Sequence, residues 1–469
     1  MASDDPVTLY AEAVLAGDII AGPYVRLACR RHMDMLASQG EVWVWDPALA
    51  QRWIDFFPDM LTVEEDGETV PFVLLDWQVF VAGSLNGWRD AETGHRLFRR
   101  AYVEGGKGCG KSPFAAGIGL LMMIADNEQK AEVYSAAAKK EQAHILFQDA
   151  VSMKKGSPVL NRRLVESGKT PVWQLTHRQS GSLFKPQSAD KAKSGLRSHC
   201  VLIDELHEHK DRYTVDMSTA SFKGRRQPLL FIITNSGFDR TSICWEWHQD
   251  GVKVLEGERS NPRLFVYIMA LDLEDDPLED PSCWPKTNPG LGITIQESYL
   301  EDQVRDARQI PGRENVVRRL NFCQWTDADE GWMTRESWEA IEEELVEPIR
   351  PRSRLLTANP GGSVKDRPAL AIVRNDLVPA LRRAGVPLRI VAADARPGHI
   401  APAAPLTCDP GDGARRVRRD PERRHRRDLP LPRQRELGGD GFAVGLVQHV
   451  GAGLHAGRAA GRGRRFQAG

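Results

Sequence analysis

The sequence offers no cysteine framework. Its seven cysteines (Cys29, Cys109, Cys200, Cys244, Cys283, Cys323 and Cys408) are odd in number, scattered over 469 residues and never spaced as C-x-x-C. That pattern argues against structural disulfides and a thiolate zinc site, and for reduced thiols in a cytosol. No stretch of about 18 apolar residues occurs either, so no membrane partner is expected. The N-terminus, polar at Ser3, Asp4 and Asp5, shows no basic-then-apolar leader. The chain is therefore expected to be soluble and intracellular. A charge excess is missing too: charged residues make up 27% of the chain, yet the net charge is −1. Any nucleic-acid surface must then be a local patch. The length suggests about three domains, or two large ones.

What the sequence does hold is Gly105-Gly106-Lys107-Gly108-Cys109-Gly110-Lys111-Ser112, a full match to the phosphate-loop pattern G-x-x-x-x-G-K-[ST]. The run Leu97 to Val103 before it reads as a strand. Pro113 to Ala125 after it reads as a helix, with Pro113 in the first turn, where its missing N–H costs nothing. Such a turn aims backbone N–H groups at phosphate, and the helix N-terminus adds favourable dipole charge. Gly105, Gly106, Gly108 and Gly110 would cradle the phosphates of ATP, Lys111 would reach the β- and γ-phosphates, and Ser112 would ligate Mg²⁺. The alternative is a chance match in a chain of 41 glycines.

Around this loop the chain alternates apolar runs with helical segments, the pattern of a parallel α/β sheet. Leu9 to Ala16 and Tyr24 to Ser38 read as N-terminal helices, followed by a tryptophan-rich segment to Phe57. Upstream of the loop, Gln78 ends the run Val70 to Gln78 and could hydrogen-bond an adenine edge; taken alone, a surface glutamine beside a core tryptophan is the simpler reading. Ala131 to Ser135 reads as a strand and Lys139 to Val151 as a helix. His199 to Glu205 is an apolar strand ending in two carboxylates, which such a sheet delivers to its ligand crevice. Asp204 would hold Mg²⁺ and Glu205 would polarise the attacking water. Leu229 to Gly237 is a further apolar strand, whose Thr234 and Asn235 would sit beside the γ-phosphate.

These segments together resemble the large terminase subunit of tailed bacteriophages, from about residue 9 to residue 335. The similar stretches are Tyr10 with Ala28-Cys29-Arg30-Arg31-His32, Leu75-Asp76-Trp77-Gln78, the phosphate loop, Val201 to His207 and Thr234-Asn235-Ser236-Gly237. Trp284 to Gly292 and Asn321-Phe322-Cys323-Gln324-Trp325 complete the set. The resemblance implies a motor that packs double-stranded DNA, followed by an RNase H-like nuclease using two Mg²⁺ or Mn²⁺ ions. It implies the portal protein and the small terminase subunit as partners, and a homo-oligomeric ring on the portal. It places the protein in the cytoplasm of an infected bacterial host, transiently docked to the procapsid. It makes Lys107 the arginine-finger equivalent, with Arg99 or Arg100 as substitutes and a solvated loop residue as the ordinary reading. Lys185, Lys191, Lys193, Arg197, Lys223, Arg225 and Arg226 form a basic cluster that could meet DNA phosphates or simply be a solvated face.

The expected fold class is α/β: a P-loop NTPase of the RecA/ASCE-like kind, with a helical cap over 1–60 and a motor domain over 61–345. The start of a nuclease domain follows at 346–395. There Ser363 to Val373 resembles the family's nuclease, but Gly361 or a neighbour stands where its first aspartate belongs, and Asp366 matches the second, as a metal-ligand candidate. Residues 396–469 lose all periodicity, and Arg415 to Arg427 holds eight arginines in thirteen residues. This tail is expected to be disordered, and out of frame with an incomplete nuclease, or else a genuine DNA-binding tail. Two other functions fit the same residues: a helicase-like ATPase, and a defective prophage remnant that binds nucleotide or DNA without turnover.

Overall fold

The N-terminal helices each begin at a proline, and α1 and α3 also have a capping aspartate. In a computed structural model, which describes residues 5–65, 67–188, 196–310 and 312–326 with the backbone of 389–392 and 444–447, α1 (Pro6–Ala16) begins behind Asp5. The Asp5 carboxylate accepts the N–H groups of Val7 and Thr8 at 3.3 and 3.2 Å, and Pro6 takes the first helical position. α2 (Pro23–Ala37) follows, then β1 (Trp43–Trp45) and α3 (Pro47–Met60), which Asp46 caps through Leu49 N–H at 3.0 Å. A hairpin of β2 (Thr62–Glu65) and β3 (Glu68–Pro71) leads into α4 (Asp76–Gly87) and β4 (Trp88–Asp90), which pairs with β1.

β5 (Arg100–Glu104) and α5 (Lys111–Ile124) bracket the phosphate loop. After them come β6 (Glu132–Ala137), α6 (Lys140–Gly156), α7 (Pro158–Arg163), β7 (Leu164–Ser167), β8 (Gln174–His177) and β9 (Leu183–Ser188). β10 (Ser198–Asp204), α8 (Tyr213–Ala220), β11 (Leu229–Thr234), α9 (Ile243–Leu255) and β12 (Leu264–Ile268) follow. α10 (Glu297–Gln309) and α11 (Arg313–Phe322) form a helical pair.

The strands assemble one sheet in the order β12-β5-β11-β10-β6-β9-β8-β7. β12 through β9 run parallel, and β8 and β7 extend the edge antiparallel. β11 thus stands between the strand that feeds the phosphate loop and the strand that carries the acid pair, as expected for a RecA/ASCE-like sheet. Every residue of β10, β11 and β12 is buried, which accounts for their uninterrupted apolar runs. β5 starts at Arg100 rather than Leu97: Leu97 and Phe98 are buried before the strand begins, so apolarity alone marks its start too early.

The N-terminal helices share one core with the sheet. Phe57 stacks on Phe114 of α5 at 5.4 Å, Trp77 meets Phe114 edge-on at 5.5 Å, and Tyr10 shares a 2.7 Å hydrogen bond with Tyr267 of β12. Each such buried ring contributes roughly 2–3 kcal/mol of transfer free energy. His32 of α2 joins three elements: Trp88 donates its indole N–H to Nδ1 at 3.1 Å, Nε2 lies 3.2 Å from Thr8 Oγ1, and Thr8 donates to Asp5 at 2.5 Å. Burial pushes the His32 imidazole down to about 4. Below the sheet, fully buried Arg96 pairs with Asp126, which also takes a 2.7 Å contact from His199 Nε2. Residues 278–322 build a smaller second core around Trp284, Leu300, Val317 and Phe322.

Residues 1–334 form one compact unit and 335–469 another. In the latter, β13 (Arg389–Ala392) and β14 (Val444–Val447) pair antiparallel. The expected disorder of 396–469, apart from Val444–Val447, and the ligand candidate Asp366 lie outside the described residues. Among the described residues no helix is long and apolar enough to cross a membrane.

Candidate nucleotide site

The phosphate loop leaves β5 after Glu104 and enters α5 at Lys111. Gly108 and Gly110 have φ of 92° and 86°, the left-handed region that side chains resist, so the glycine pattern is a backbone requirement here. Lys111 is buried, and its Nζ donates to the carbonyls of Gly105 and Gly106, each at 2.7 Å. Ser112 follows in the first turn of α5 and is partly exposed. The front of the loop is also held from outside the sheet. Gly106 N–H donates to Thr287 O at 3.3 Å and Lys107 N–H to Leu320 O at 2.7 Å, both in the second core region.

Sheet register brings the remaining candidates level with the loop. Glu104 pairs with Thr234 across β5 and β11, and Asp204 pairs with Ile233 across β10 and β11, so Glu205 emerges beside Thr234. Glu205 has φ 50° and ψ 56°, a left-handed conformation that costs a non-glycine residue on the order of 1 kcal/mol or more. Asp204 is buried, whereas the Glu205 side chain retains 30% exposure. Burial, reinforced by the neighbouring Glu205 charge, pushes the Asp204 carboxyl up to about 7. Burial also works against charge on Glu205, but His207, Lys111 and Lys107 hold it below the ordinary carboxylate range. Two adjacent acids are thereby separated into one ionised group and one that holds a proton more tightly.

Asn235 is buried and its Oδ1 accepts no hydrogen bond, a polar atom left over beside the loop. Ser236 anchors the turn by donating to the carbonyls of Arg319 and Gln324 at 2.9 and 3.1 Å. A Cβ on Gly237 would stand 2.9 Å from the Trp325 ring, so only glycine allows that approach.

Gln78 lies against the loop rather than on the surface. Its Oε1 accepts Leu75 N–H at 2.9 Å and its Nε2 donates to Gly110 O at 3.3 Å, with 1% of the residue exposed. The amide that could have met an adenine edge is engaged by the helix start and by the last glycine of the loop. Arg100 opens β5 and Arg99 precedes it, about 13 and 17 Å along the strand from Glu104 at roughly 3.3 Å per residue, which removes them from the γ-phosphate end. Lys107 is exposed in the loop itself and near enough to Glu205 to lower its pKa.

The basic cluster divides. Arg197, Lys223, Arg225 and Arg226 gather before the amino ends of β10 and β11, at the end of the sheet opposite the phosphate loop. Arg225 is occupied by Glu128 at 3.0 Å and by the carbonyls of Arg197, Gln129 and Lys130. Lys185 sits over the Tyr134 ring at 5.6 Å. Lys191 and Lys193 lie outside the described residues.

The residues fit a nucleotide with a divalent cation. Gly108 and Gly110 give the loop the left-handed backbone of a phosphate-binding turn, and Asn235 supplies an unpaired buried oxygen. Among the described residues no group of three or more His, Cys, Asp or Glu could hold a metal alone. Mg²⁺ on a nucleotide does not need one, since it binds through one or two protein oxygens plus phosphates. Sequence reading missed Glu104 and the partner sets of His207 and His32, all polar groups whose partners come from distant segments.

Comparison with known proteins agrees with this geometry. Residues 76–250 match the family described as terminase large subunit, ATPase domain, and residues 259–354 match terminase large subunit, endonuclease domain. The second match begins just before β12 and runs through α10 and α11, so its first part is folded within the compact unit of residues 1–334. Protein YmfN of Escherichia coli (strain K12) is 26% identical over 184 residues, 39% of this chain and 40% of that protein. The large terminase subunit of Enterobacteria phage HK97 is 26% identical over 240 residues, 50% of this chain and 46% of that one. The crystal structure of the HK97 bacteriophage large terminase superposes with a TM-score of 0.52 at 22% identity, over 59% of this chain and 55% of that one, and shows the same fold. The chain spans less than half the length of the two curated relatives.

Proposed function

The chain belongs to the terminase large subunit family, and on that premise we propose that it is a Mg²⁺-dependent ATPase motor that drives double-stranded DNA into a procapsid. The observation that carries this reading is the convergence of Lys111, Ser112, Asp204, Glu205 and Asn235 at the carboxyl ends of β5, β10 and β11. The loop N–H groups and the α5 N-terminus cradle the phosphates, and Lys111 turns from the loop carbonyls to the β- and γ-phosphates. Ser112 and Asp204 would hold Mg²⁺, which would supply neutralisation of charge on the phosphates. Glu205 orients the attacking water and accepts its proton, Asn235 and Thr234 border the γ-phosphate, and Lys107 stabilises charge there. Gln78 supports Gly110 from behind.

The portal protein, the small terminase subunit and a ring of further copies are the proposed partners, in the cytoplasm of an infected bacterium. The nuclease is proposed to be incomplete, because the sequence beyond about residue 395 shows no sustained helical or strand periodicity and Gly361 or a neighbour stands where the family's first metal-binding aspartate belongs. ATP hydrolysis measured with and without linear double-stranded DNA, beside a Glu205→Gln control and plasmid cleavage in Mn²⁺, tests both halves. DNA-stimulated turnover lost in the control supports the motor. No turnover under any condition sinks it, and plasmid cleavage sinks the incomplete nuclease.

A further inference from the structure

His207 stands two residues beyond Glu205 in a short 3-10 turn, Leu206–Glu208, and its side chain is only 8% exposed. Its Nδ1 lies 3.3 Å from Glu205 Oε2 and 3.2 Å from Thr234 Oγ1, while its backbone N–H donates to the same Oγ1 at 3.1 Å. The Thr234 hydroxyl proton is directed elsewhere, to Asn235 O at 2.9 Å. Thr234 Oγ1 therefore only accepts from His207, and a carboxylate oxygen also only accepts. For the ring to be attracted to either neighbour, Nδ1 must carry a hydrogen, and one N–H then faces two acceptors. Glu205 Oε2 makes no full hydrogen bond of its own.

We propose that His207 is a positioning residue for ATP hydrolysis, whose Nδ1–H is divided between Glu205 and Thr234 and fixes the orientation of the Glu205 carboxylate. This rests on the motor reading above. The arrangement gives Glu205 a second setting. When the ring N–H turns wholly to Thr234, the carboxylate is released; when it turns wholly to Glu205, the carboxylate is aimed. Thr234 belongs to the strand end whose next residues hold the nucleotide side and, through Ser236 and Gly237, the chain segment 319–326. The position of that segment and the aim of the general base are thus linked through one imidazole. No proton leaves the ring in this role: the N–H is kept, and only its acceptor changes.

Side-chain amides discriminate this from a structural role, because the nitrogen of asparagine falls near Nδ1 of histidine and that of glutamine near Nε2. Steady-state ATP hydrolysis of His207→Ala, His207→Gln and His207→Asn is compared with the unaltered full chain, with binding of a fluorescent non-hydrolysable ATP analogue measured beside it. The expectation is a kcat loss on the order of 100-fold for the alanine and glutamine variants, with KM and analogue affinity changed less than about threefold, and recovery of most of the rate in His207→Asn. Equal rates in all variants would overturn the proposal, as would parallel loss of analogue binding and kcat, or an asparagine variant no better than glutamine. If the unaltered chain binds the analogue but hydrolyses no ATP, it is the motor reading that fails.

Discussion

Trp325 donates its indole N–H to Glu104 Oε1 at 3.0 Å, tying the residue directly before the phosphate loop to one 221 positions further along the chain. Glu104 is fully buried and is also served by Tyr102 OH at 2.7 Å and His248 Nδ1 at 2.8 Å. Burial opposes its charge, and the donors, with His248 foremost, hold its carboxyl below the ordinary range. Trp325 in turn packs edge-on against Trp245 at 4.7 Å.

Trp325→Phe keeps the ring stacking and removes one donor from that carboxylate. Urea unfolding should show a loss of about 1.5–3 kcal/mol, the worth of a hydrogen bond to a charged group. A loss below about 0.5 kcal/mol, the level of an ordinary surface change, would mean that Glu104 is satisfied without it.

Lys111→Ala and Glu205→Gln should separate binding from turnover. Lys111 touches phosphate in the proposed complex, so its variant should lose nucleotide affinity. Glu205→Gln should bind an ATP analogue as the unaltered chain does and hydrolyse at least about 100-fold more slowly, as expected when a general base is removed. Titration with a labelled analogue checks the first, phosphate release the second. Loss of analogue binding in Glu205→Gln would count against its role as base.

Asp126→Asn should destabilise the fold by about 3–5 kcal/mol, because Arg96 would be left charged and unpaired in a site with no exposure. Asp126 is held below its usual range: burial opposes the charge, and Arg96 and His199 more than compensate. Its stabilising contribution is therefore present above the unfolded carboxylate pKa and is lost as pH falls through the folded one. Thermal unfolding of the variant beside an Asp59→Asn surface control measures the effect.

His32 gives the opposite chemistry in a higher pH window. Its folded pKa of about 4 lies below the ordinary 6.5, so only the unfolded chain takes up the proton between those values. Stability should be full above about pH 6.5 and fall by about 3 kcal/mol on the way to pH 4. In His32→Gln that share of the pH dependence should vanish; an unchanged profile would assign it to other groups.

The basic end of the sheet should respond unequally to substitution. Lys223 is exposed and the Arg226 side chain retains 67% exposure, whereas Arg225 retains 10% and binds Glu128 and three carbonyls. Lys223→Ala and Arg226→Ala should each lower the salt slope of DNA binding by about 0.9, and Arg225→Ala should chiefly lower stability. Unchanged slopes for both exposed residues would place DNA elsewhere.

The sheet and the residues of the candidate nucleotide site were legible in the sequence where the signal is local. The phosphate loop is one contiguous pattern, and β10 and β11 are unbroken apolar runs, so Lys111, Asp204, Glu205 and Asn235 could be named from spacing. The antiparallel edge, β7 to β9, was not, because its residues mix polar and apolar with no steady period. Gln78 could be placed near the loop but not oriented, since its acceptor is a backbone carbonyl 32 residues away. Glu104 lies just past the run Leu97 to Val103 that reads as a strand, and it carries no motif of its own. Its three donors come from β5, α9 and the segment after α11, and no local pattern announces such a meeting.

The two carbonyls that hold the front of the phosphate loop, Thr287 O and Leu320 O, lie well beyond residue 250, where the match to the ATPase family ends. A fragment cut at that family boundary would leave the N–H groups of Gly106 and Lys107 without their acceptors and Glu104 without Trp325. A piece of this chain that keeps these supports of the phosphate loop therefore runs at least to Trp325, and a boundary drawn from sequence similarity alone would cut through the support of the site it was meant to isolate.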